Sequence, residues 1–229
     1  MLEPASRLFV HLPKCAGTSV LEFLKTSCAH ELSLDYGDSF MRLPWPERGR
    51  RLFESMMNPT RVPPGKLVYG HFFPIKYVGS RASAFEQRHE RLVTIMRDPI
   101  DRLRSHYEFW RASPSPDHYL WNKMKVENWT FSDFAFSAEM KNFYSQYFFQ
   151  IPIGAFSYIG LFERLEPSIR GCLHALGVEY PRGAVIPEMN RSVSLGTDVS
   201  ATMRKDLVSH HAEDYVLYEY ARAAFHGLE

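Results

Sequence analysis

The sequence predicts a three-layer α/β/α protein with a largely parallel central sheet, and three observations carry the prediction. Leu92-Val93-Thr94-Ile95-Met96 is an uninterrupted, β-branched run of the kind needed by a strand buried on both faces. Several such apolar runs are each followed by residues at helical spacing, the pattern of strand–helix crossovers. The 229 residues, 45% of them hydrophobic, suffice for one α/β core and would be cramped as two, so residues 1–229 are read as a single domain. A charged fraction of 23% and the lack of repeats or low-complexity tracts exclude a disordered chain or a solenoid.

The first unit sets the organisation. Leu8, Val10 and Leu12 recur at period two, as a short buried strand requires, and Val20, Leu21, Phe23 and Leu24 mark one face of a helix. Between them stand Pro13, Lys14, Cys15, Ala16, Gly17, Thr18 and Ser19. Gly17 permits a tight turn and close approach of a ligand, and the hydroxyls of Thr18 and Ser19 can cap the helix or donate. The helix N-terminus presents amides to an anion, to which Lys14 adds a full charge. The loop is phosphate-loop-like, yet Lys14 precedes the glycine, which breaks the G-x-x-x-x-G-K-[ST] spacing and argues against an ordinary ATPase or GTPase.

The helix fades near Cys28 and Ala29. Residues 30 to 66 are rich in Pro, Gly and Arg and are read as loop with a short helix over residues 50 to 57. Arg48, Arg50 and Arg51 are read as a solvated charged face. The apolar run Lys66-Leu67-Val68-Tyr69-Gly70-His71-Phe72-Phe73-Pro74 gives the next strand, four to five residues closed by Gly and then Pro, which leaves His71 at the strand's end, where ligands bind in open α/β sheets if this strand neighbours the first. The bland alternative is a half-buried histidine hydrogen-bonded to a loop carbonyl.

After the Leu92–Met96 strand, Asp98 and Pro99 suit the cap and first turn of a helix, whose face is Ile100, Leu103, Tyr107 and Trp110. Arg97 stands at the strand tip, where a guanidinium can fork onto a phosphate, and Ser105 follows two turns into the helix. Residues 119 to 149 are dense in aromatics, expected as core or as wall of an acceptor pocket; without interleaved Lys and Arg they do not suggest single-stranded nucleic acid. A strand over residues 156 to 161, a helix over 165 to 176 stopped by Gly177, an extended segment over 184 to 192, and helices over 200 to 209 and 212 to 225 complete the chain.

With 27 Lys and Arg against 26 Asp and Glu, the net charge of +1 argues against a global polyanion-binding surface, so any anion binding falls to local basic clusters. Cys15, Cys28 and Cys172 are an odd number without metal-like spacing, so neither a disulfide framework nor a metal site is expected. A strand within the first ten residues and the absence of an 18-residue apolar run predict no signal peptide and no membrane span, hence a cytoplasmic protein if Met1 is the start.

Several of these stretches together resemble the PAPS-dependent sulfotransferases. Val10-His11-Leu12-Pro13-Lys14-Cys15-Ala16-Gly17-Thr18-Ser19 resembles the family's 5′-phosphosulfate loop, and Ile95-Met96-Arg97-Asp98-Pro99-Ile100-Asp101-Arg102-Leu103-Arg104-Ser105 its 3′-phosphate segment. The likeness is closest to the carbohydrate branch, of heparan sulfate 2-O and 6-O type: Tyr69-Gly70-His71 resembles its Gly-His element with the catalytic histidine. Tyr158 to Leu165 and Pro187-Glu188-Met189-Asn190-Arg191-Ser192 resemble its later segments.

The resemblance implies metal-independent transfer of a sulfuryl group from 3′-phosphoadenosine 5′-phosphosulfate (PAPS) to a hydroxyl or amine of a carbohydrate or small molecule. Lys14 would stabilise charge on the leaving phosphate, work that sulfuryl transfer shares with phosphoryl transfer. Ala16, Gly17, Thr18 and Ser19 would cradle the 5′ end, Arg97 and Ser105 would bind the 3′-phosphate, and Asn190, Arg191 and Ser192 would close over the nucleotide. His71 would be the general base. The family usually carries a hydroxyl where this chain has Cys15, so Cys15 is expected to contact the phosphosulfate through its backbone, with its thiol activated beside Lys14. A catalytically inactive nucleotide-binding interaction module and a nucleotide kinase are the other readings. The intact set of Lys14, His71, Arg97 and Ser105 argues against the first and the loop spacing against the second.

Overall fold

A computed structural model describes residues 6–37, 42–79, 91–180, 183, 186 and 197–226. Its described strands are β1 (Arg7–Val10), β2 (Leu32–Asp35), β3 (Leu67–Gly70), β4 (Arg91–Met96) and β5 (Tyr158–Leu161). They form one sheet in the order β2-β3-β1-β4-β5 with every pairing parallel. The register sets Val10 beside Gly70 on one side and Thr94 on the other, so the carboxyl ends of β3, β1 and β4 lie in a row.

Alternation along the strands creates two cores. Leu8, Val10, Val68, Leu92, Met96 and Ile159 face one layer, while Phe9, Leu67, Tyr69, Val93 and Ile95 face the other. The second layer is built by α1 (Gly17–Cys28), through Val20, Phe23 and Leu24, and by α8 (Leu165–Leu176), through Ile169, Cys172 and Leu173. The first layer holds α2 (Glu47–Met57), α3 (Ile75–Val78), α4 (Pro99–Ala112), α5 (Tyr119–Val126), α6 (Phe131–Ala135), α7 (Phe143–Tyr147), α9 (Ala201–His210) and α10 (Ala212–His226). The three layers are those the sequence predicts.

α4 starts as expected: Asp98 accepts from the amides of Ile100 and Asp101, both at 3.0 Å, ahead of Pro99 in the first turn. Two expectations are corrected. The segment from 30 to 66 is not all loop, because β2 adds to the sheet edge; its backbone passes so close to β3 that a Cβ on Gly70 would stand 1.6 Å from the Asp35 carbonyl oxygen. α2 begins at Glu47, and Arg48 on it is buried at 2% exposure, not solvated. The aromatics between 119 and 149 are largely core, with Phe134, Phe143, Tyr144 and Tyr147 all at 1% exposure or less. The extended segment expected over 184 to 192 lies, apart from residue 186, outside the described residues.

β1 and β4 are adjacent, yet their outgoing helices diverge. α1 leaves β1 on one face and leads to β2, whereas α4 leaves β4 on the other and the chain continues to β5. Such a reversal opens a crevice beyond the carboxyl ends of the two strands, where open α/β sheets bind ligands.

Candidate functional site

Two loop residues at this switch point hold a conformation their side chains disfavour. Lys14 has φ 69° and Ala16 has φ 63°, both left-handed and neither a glycine. Each costs on the order of 1–3 kcal/mol, a strain that survives only where surrounding structure enforces it. Left-handed residues followed by a helix turn backbone amides toward a common point, as an anion nest requires. α1 begins there: Val20 N–H donates to the Ala16 carbonyl at 3.1 Å, Ala16 caps without a side-chain hydrogen bond, and no acidic side chain stands in the first turn. The cap expected from Thr18 or Ser19 is thus not made; both lie within the first turn, Thr18 exposed and Ser19 buried. Gly17 is required by contact, since a Cβ there would stand 1.5 Å from His11 Nε2.

Lys14 and Arg97 bring two cations to the crevice from adjacent strand tips. The Lys14 ammonium lies 4.0 Å from the centroid of the Phe109 ring on α4. Burial, and next the Arg97 charge, lower its pKa. Arg97 packs its guanidinium 4.2 Å from the Phe162 ring centroid, and its Nη1 reaches the Lys14 carbonyl at 3.5 Å. An anion bound between the two side chains would relieve the repulsion that lowers the Lys14 pKa.

Behind them stands Tyr144 of α7, fully buried. Its hydroxyl donates to the Arg97 carbonyl at 2.6 Å and accepts from the Arg97 amide at 3.1 Å, and the Cys15 Sγ lies 3.8 Å from the same oxygen. The Tyr144 amide in turn donates to Asp214 of α10 at 2.9 Å. One hydroxyl therefore touches both the loop and the β4 tip. Sequence reasoning missed it, because Tyr144 looks like one more ring of an aromatic belt.

This geometry corrects the expectation for Cys15. The residue is 2% exposed, its thiol faces Tyr144 and the Pro13 carbonyl, and its amide donates to Leu12 at 3.2 Å. Burial pushes the thiol up to about 11 despite the nearby Arg102 and Arg97. It is a core thiol, neither activated nor aimed at the crevice. Ser105, 3% exposed on α4, also sits within the packed layer, beside the buried Arg102 and His106. Asn190, Arg191 and Ser192 lie outside the described residues.

His71 follows β3 and is half-buried. Its Nδ1 lies 2.6 Å from the His11 carbonyl, a contact in which Nδ1–H donates and Nε2 keeps its lone pair. Its ring stacks on His11 at 4.0 Å and meets Tyr36 edge-on at 5.0 Å. Burial lowers its pKa to about 4; the His11 carbonyl opposes this, and the His118 and Arg42 charges add to it. His11 is lowered as well, by burial and then by His71 and Lys14, and its Nδ1 lies 3.4 Å from the Tyr36 hydroxyl. His11 and Tyr36 are thus part of the site. His11 sits inside the loop motif, but Tyr36 follows a strand that the sequence did not reveal.

Among the described residues no group of three or more His, Cys, Asp or Glu side chains could hold a metal ion, and no helix is long and apolar enough to cross a membrane. No family model and no curated protein matches the chain. Among solved structures it is similar to a sulfotransferase from Alicyclobacillus acidocaldarius, with 15% identity and a TM-score of 0.48 over 98% of this chain and 97% of that one. It is also similar to mouse sulfotransferase SULT7A1 complexed with PAP, with 13% identity and a TM-score of 0.44 over 96% of this chain and 90% of that one. A third likeness, at 15% identity and a TM-score of 0.35, covers 79% of this chain and 62% of retinol dehydratase in complex with androsterone and the inactive cofactor PAP.

Proposed function

We propose that this chain is a PAPS-dependent sulfotransferase acting on a hydroxyl of a small molecule or carbohydrate, with His71 as general base. The supporting observation is the pairing of Lys14 and Arg97 at adjacent strand tips, on a loop whose left-handed residues turn its amides inward. That arrangement suits a ligand with anionic groups at two ends. The loop, with Lys14 and the first turn of α1 from Gly17 to Ser19, takes the 5′-phosphosulfate, and Arg97 takes the 3′-phosphate. Ser105 joins Arg97 only if its side chain turns out of the packed layer.

In the transfer the acceptor oxygen bonds to sulfur while the bond from sulfur to the bridging oxygen breaks, and the electron pair of that bond leaves on the 5′-phosphate. Lys14 and the loop amides stabilise the charge that builds there. His71 Nε2 takes the acceptor proton. An imidazole with a pKa of about 4 is neutral at pH 7, so its accepting form is always present. It is a weak base toward a free alcohol but suffices once bonding to sulfur has acidified the oxygen. The His11 carbonyl fixes the tautomer that the role requires.

The test combines calorimetric binding of 3′-phosphoadenosine 5′-phosphate (PAP) with transfer of label from [35S]PAPS. His71→Ala is expected to bind PAP as the wild type does and to lose transfer. Weakened PAP binding with transfer intact would remove His71 from the role, and a wild-type protein that does not bind PAP would overturn the donor assignment.

A further inference from the structure

A cavity of about 630 Å³ opens beside α2 and the residues that follow β2. It is lined by Arg42, Arg48, Arg50, Arg51, Glu54 and Phe73 among others, four arginines against one carboxylate. Phe73 follows His71 by two residues. Gly37, also in the lining, follows Tyr36, whose ring touches His71. The Arg42 charge acts on both His71 and His118.

The arginines are not equivalent. Arg50 pairs with Glu54 at 2.8 Å and Glu47 at 3.8 Å, and Arg51 pairs with Glu47 at 3.8 Å, so their charge is largely offset. Arg48 is buried, donating to the Leu43 carbonyl at 3.0 Å and to Gln146 Oε1 at 3.3 Å, with its guanidinium 5.3 Å from the Trp45 ring centroid and the Glu139 charge acting on it. Arg42, also in the lining, is exposed and makes no ion pair with a described residue. Leu43, Leu52 and Phe73 provide apolar wall. A volume of this size suits a small ligand with a compact body and one charged group.

Strand order gives the cavity its meaning. Along the carboxyl edge of the sheet the sequence of features is the cavity beside β2 and α2, His71 after β3, the Lys14 loop after β1, and Arg97 after β4. That is also the order of acceptor, base, phosphosulfate and 3′-phosphate. Resting on the donor reading above, we propose that this cavity is the acceptor site and that it selects alcohols carrying an anionic group, a carboxylate or a phosphate or sulfate ester, held by Arg42 and Arg48 with the hydroxyl presented to His71.

The probes are methyl β-D-glucuronide, glucose 6-phosphate and the neutral methyl β-D-glucoside, titrated calorimetrically into protein saturated with PAP so that the nucleotide crevice is filled. At least one anionic probe is expected to bind about tenfold or more tightly than the glucoside. Whether the carboxylate or the phosphate ester wins identifies the group recognised. Arg42→Gln is expected to abolish the preference, Arg42→Lys to restore most of it, and neither to change PAP affinity. Equal binding of all three probes, or a preference that survives Arg42→Gln, would overturn the proposal. The donor reading fails separately: if PAP does not bind, the titrations run without it, and selectivity that vanishes in Arg42→Gln but persists in Lys14→Ala still marks this cavity as an anion site.

Discussion

Removing one oxygen atom from the core should loosen the anion clamp without emptying it. Tyr144→Phe deletes a hydroxyl that donates to the Arg97 carbonyl at 2.6 Å and accepts from its amide at 3.1 Å. Each bond contributes about 0.5–1.5 kcal/mol net, and because Arg97 is only half-buried, water replaces part of what is lost, so the expected destabilisation is about 1–2 kcal/mol, below the full sum for the two bonds. The ring itself stays, so no large cavity adds to this. The consequence at the site is more selective. Arg97 is held at the β4 tip by this hydroxyl, and its guanidinium is the group assigned to the 3′-phosphate. Affinity for PAP should therefore fall about three- to tenfold, roughly 0.7–1.4 kcal/mol, while affinity for AMP, which lacks that phosphate, changes little. Urea unfolding with an unchanged m value measures the first effect and calorimetry with the two nucleotides the second. Equal losses for PAP and AMP would show that Tyr144 supports the fold and not the position of Arg97. Unchanged stability would refute the hydrogen-bond pattern itself.

Other outcomes follow from the same geometry. Because burial holds His71 near 4, kcat/KM should stay flat from pH 8 down to about 5.5, where a histidine of ordinary pKa would already have lost about ninety per cent of its neutral form; an acid limb centred near 6.5 would refute the assignment. His211 accepts from the Asn142 amide at 3.2 Å through Nδ1 and donates from Nε2 to the Ala135 carbonyl at 2.9 Å, and burial lowers its pKa to about 4. Its depressed folded pKa means that its contribution to stability is fully present above 6.5 and declines as pH falls from there toward 4, by up to about 1.4 kcal/mol per unit; His211→Gln should reduce the difference in urea midpoint between pH 7 and 5, leaving the part due to the other depressed histidines, His71, His11 and His106, and an unchanged difference would contradict this. The buried Cys15 thiol should resist N-ethylmaleimide in the native state and leave PAP binding intact; rapid labelling with loss of binding would restore the activated thiol that the sequence suggests.

What was legible in the sequence follows what is local. β4 and α4 show themselves because a strand buried on both faces and a helix with an Asp-Pro start carry their patterns in consecutive residues. β2 does not: four residues, a single pairing partner and an exposed Leu34 leave little periodicity to detect. Arg48 sits in the sequence Glu47-Arg48-Gly49-Arg50-Arg51, which reads as solvated, and its burial depends on Gln146, 98 positions away. Strand order has the same character, since pairing across a parallel sheet is decided by packing between distant segments.

The loop is the sharpest case, because its conformation contradicts the preferences of its own residues. Nothing in Lys14 or Ala16 asks for a positive φ, and an isolated peptide of this sequence would avoid it. The conformation is held from behind, by the buried Cys15 side chain and by a hydroxyl that also fixes Arg97. Here the departure at Cys15 becomes intelligible. The Cys15 Sγ lies 3.8 Å from both the Tyr144 hydroxyl and the Pro13 carbonyl in a buried position, where a thiol packs with little demand for hydrogen bonds. The proposed chemistry at the crevice therefore depends on the aromatic core beneath it, and substitutions in that core should alter discrimination between nucleotides before they alter the fold.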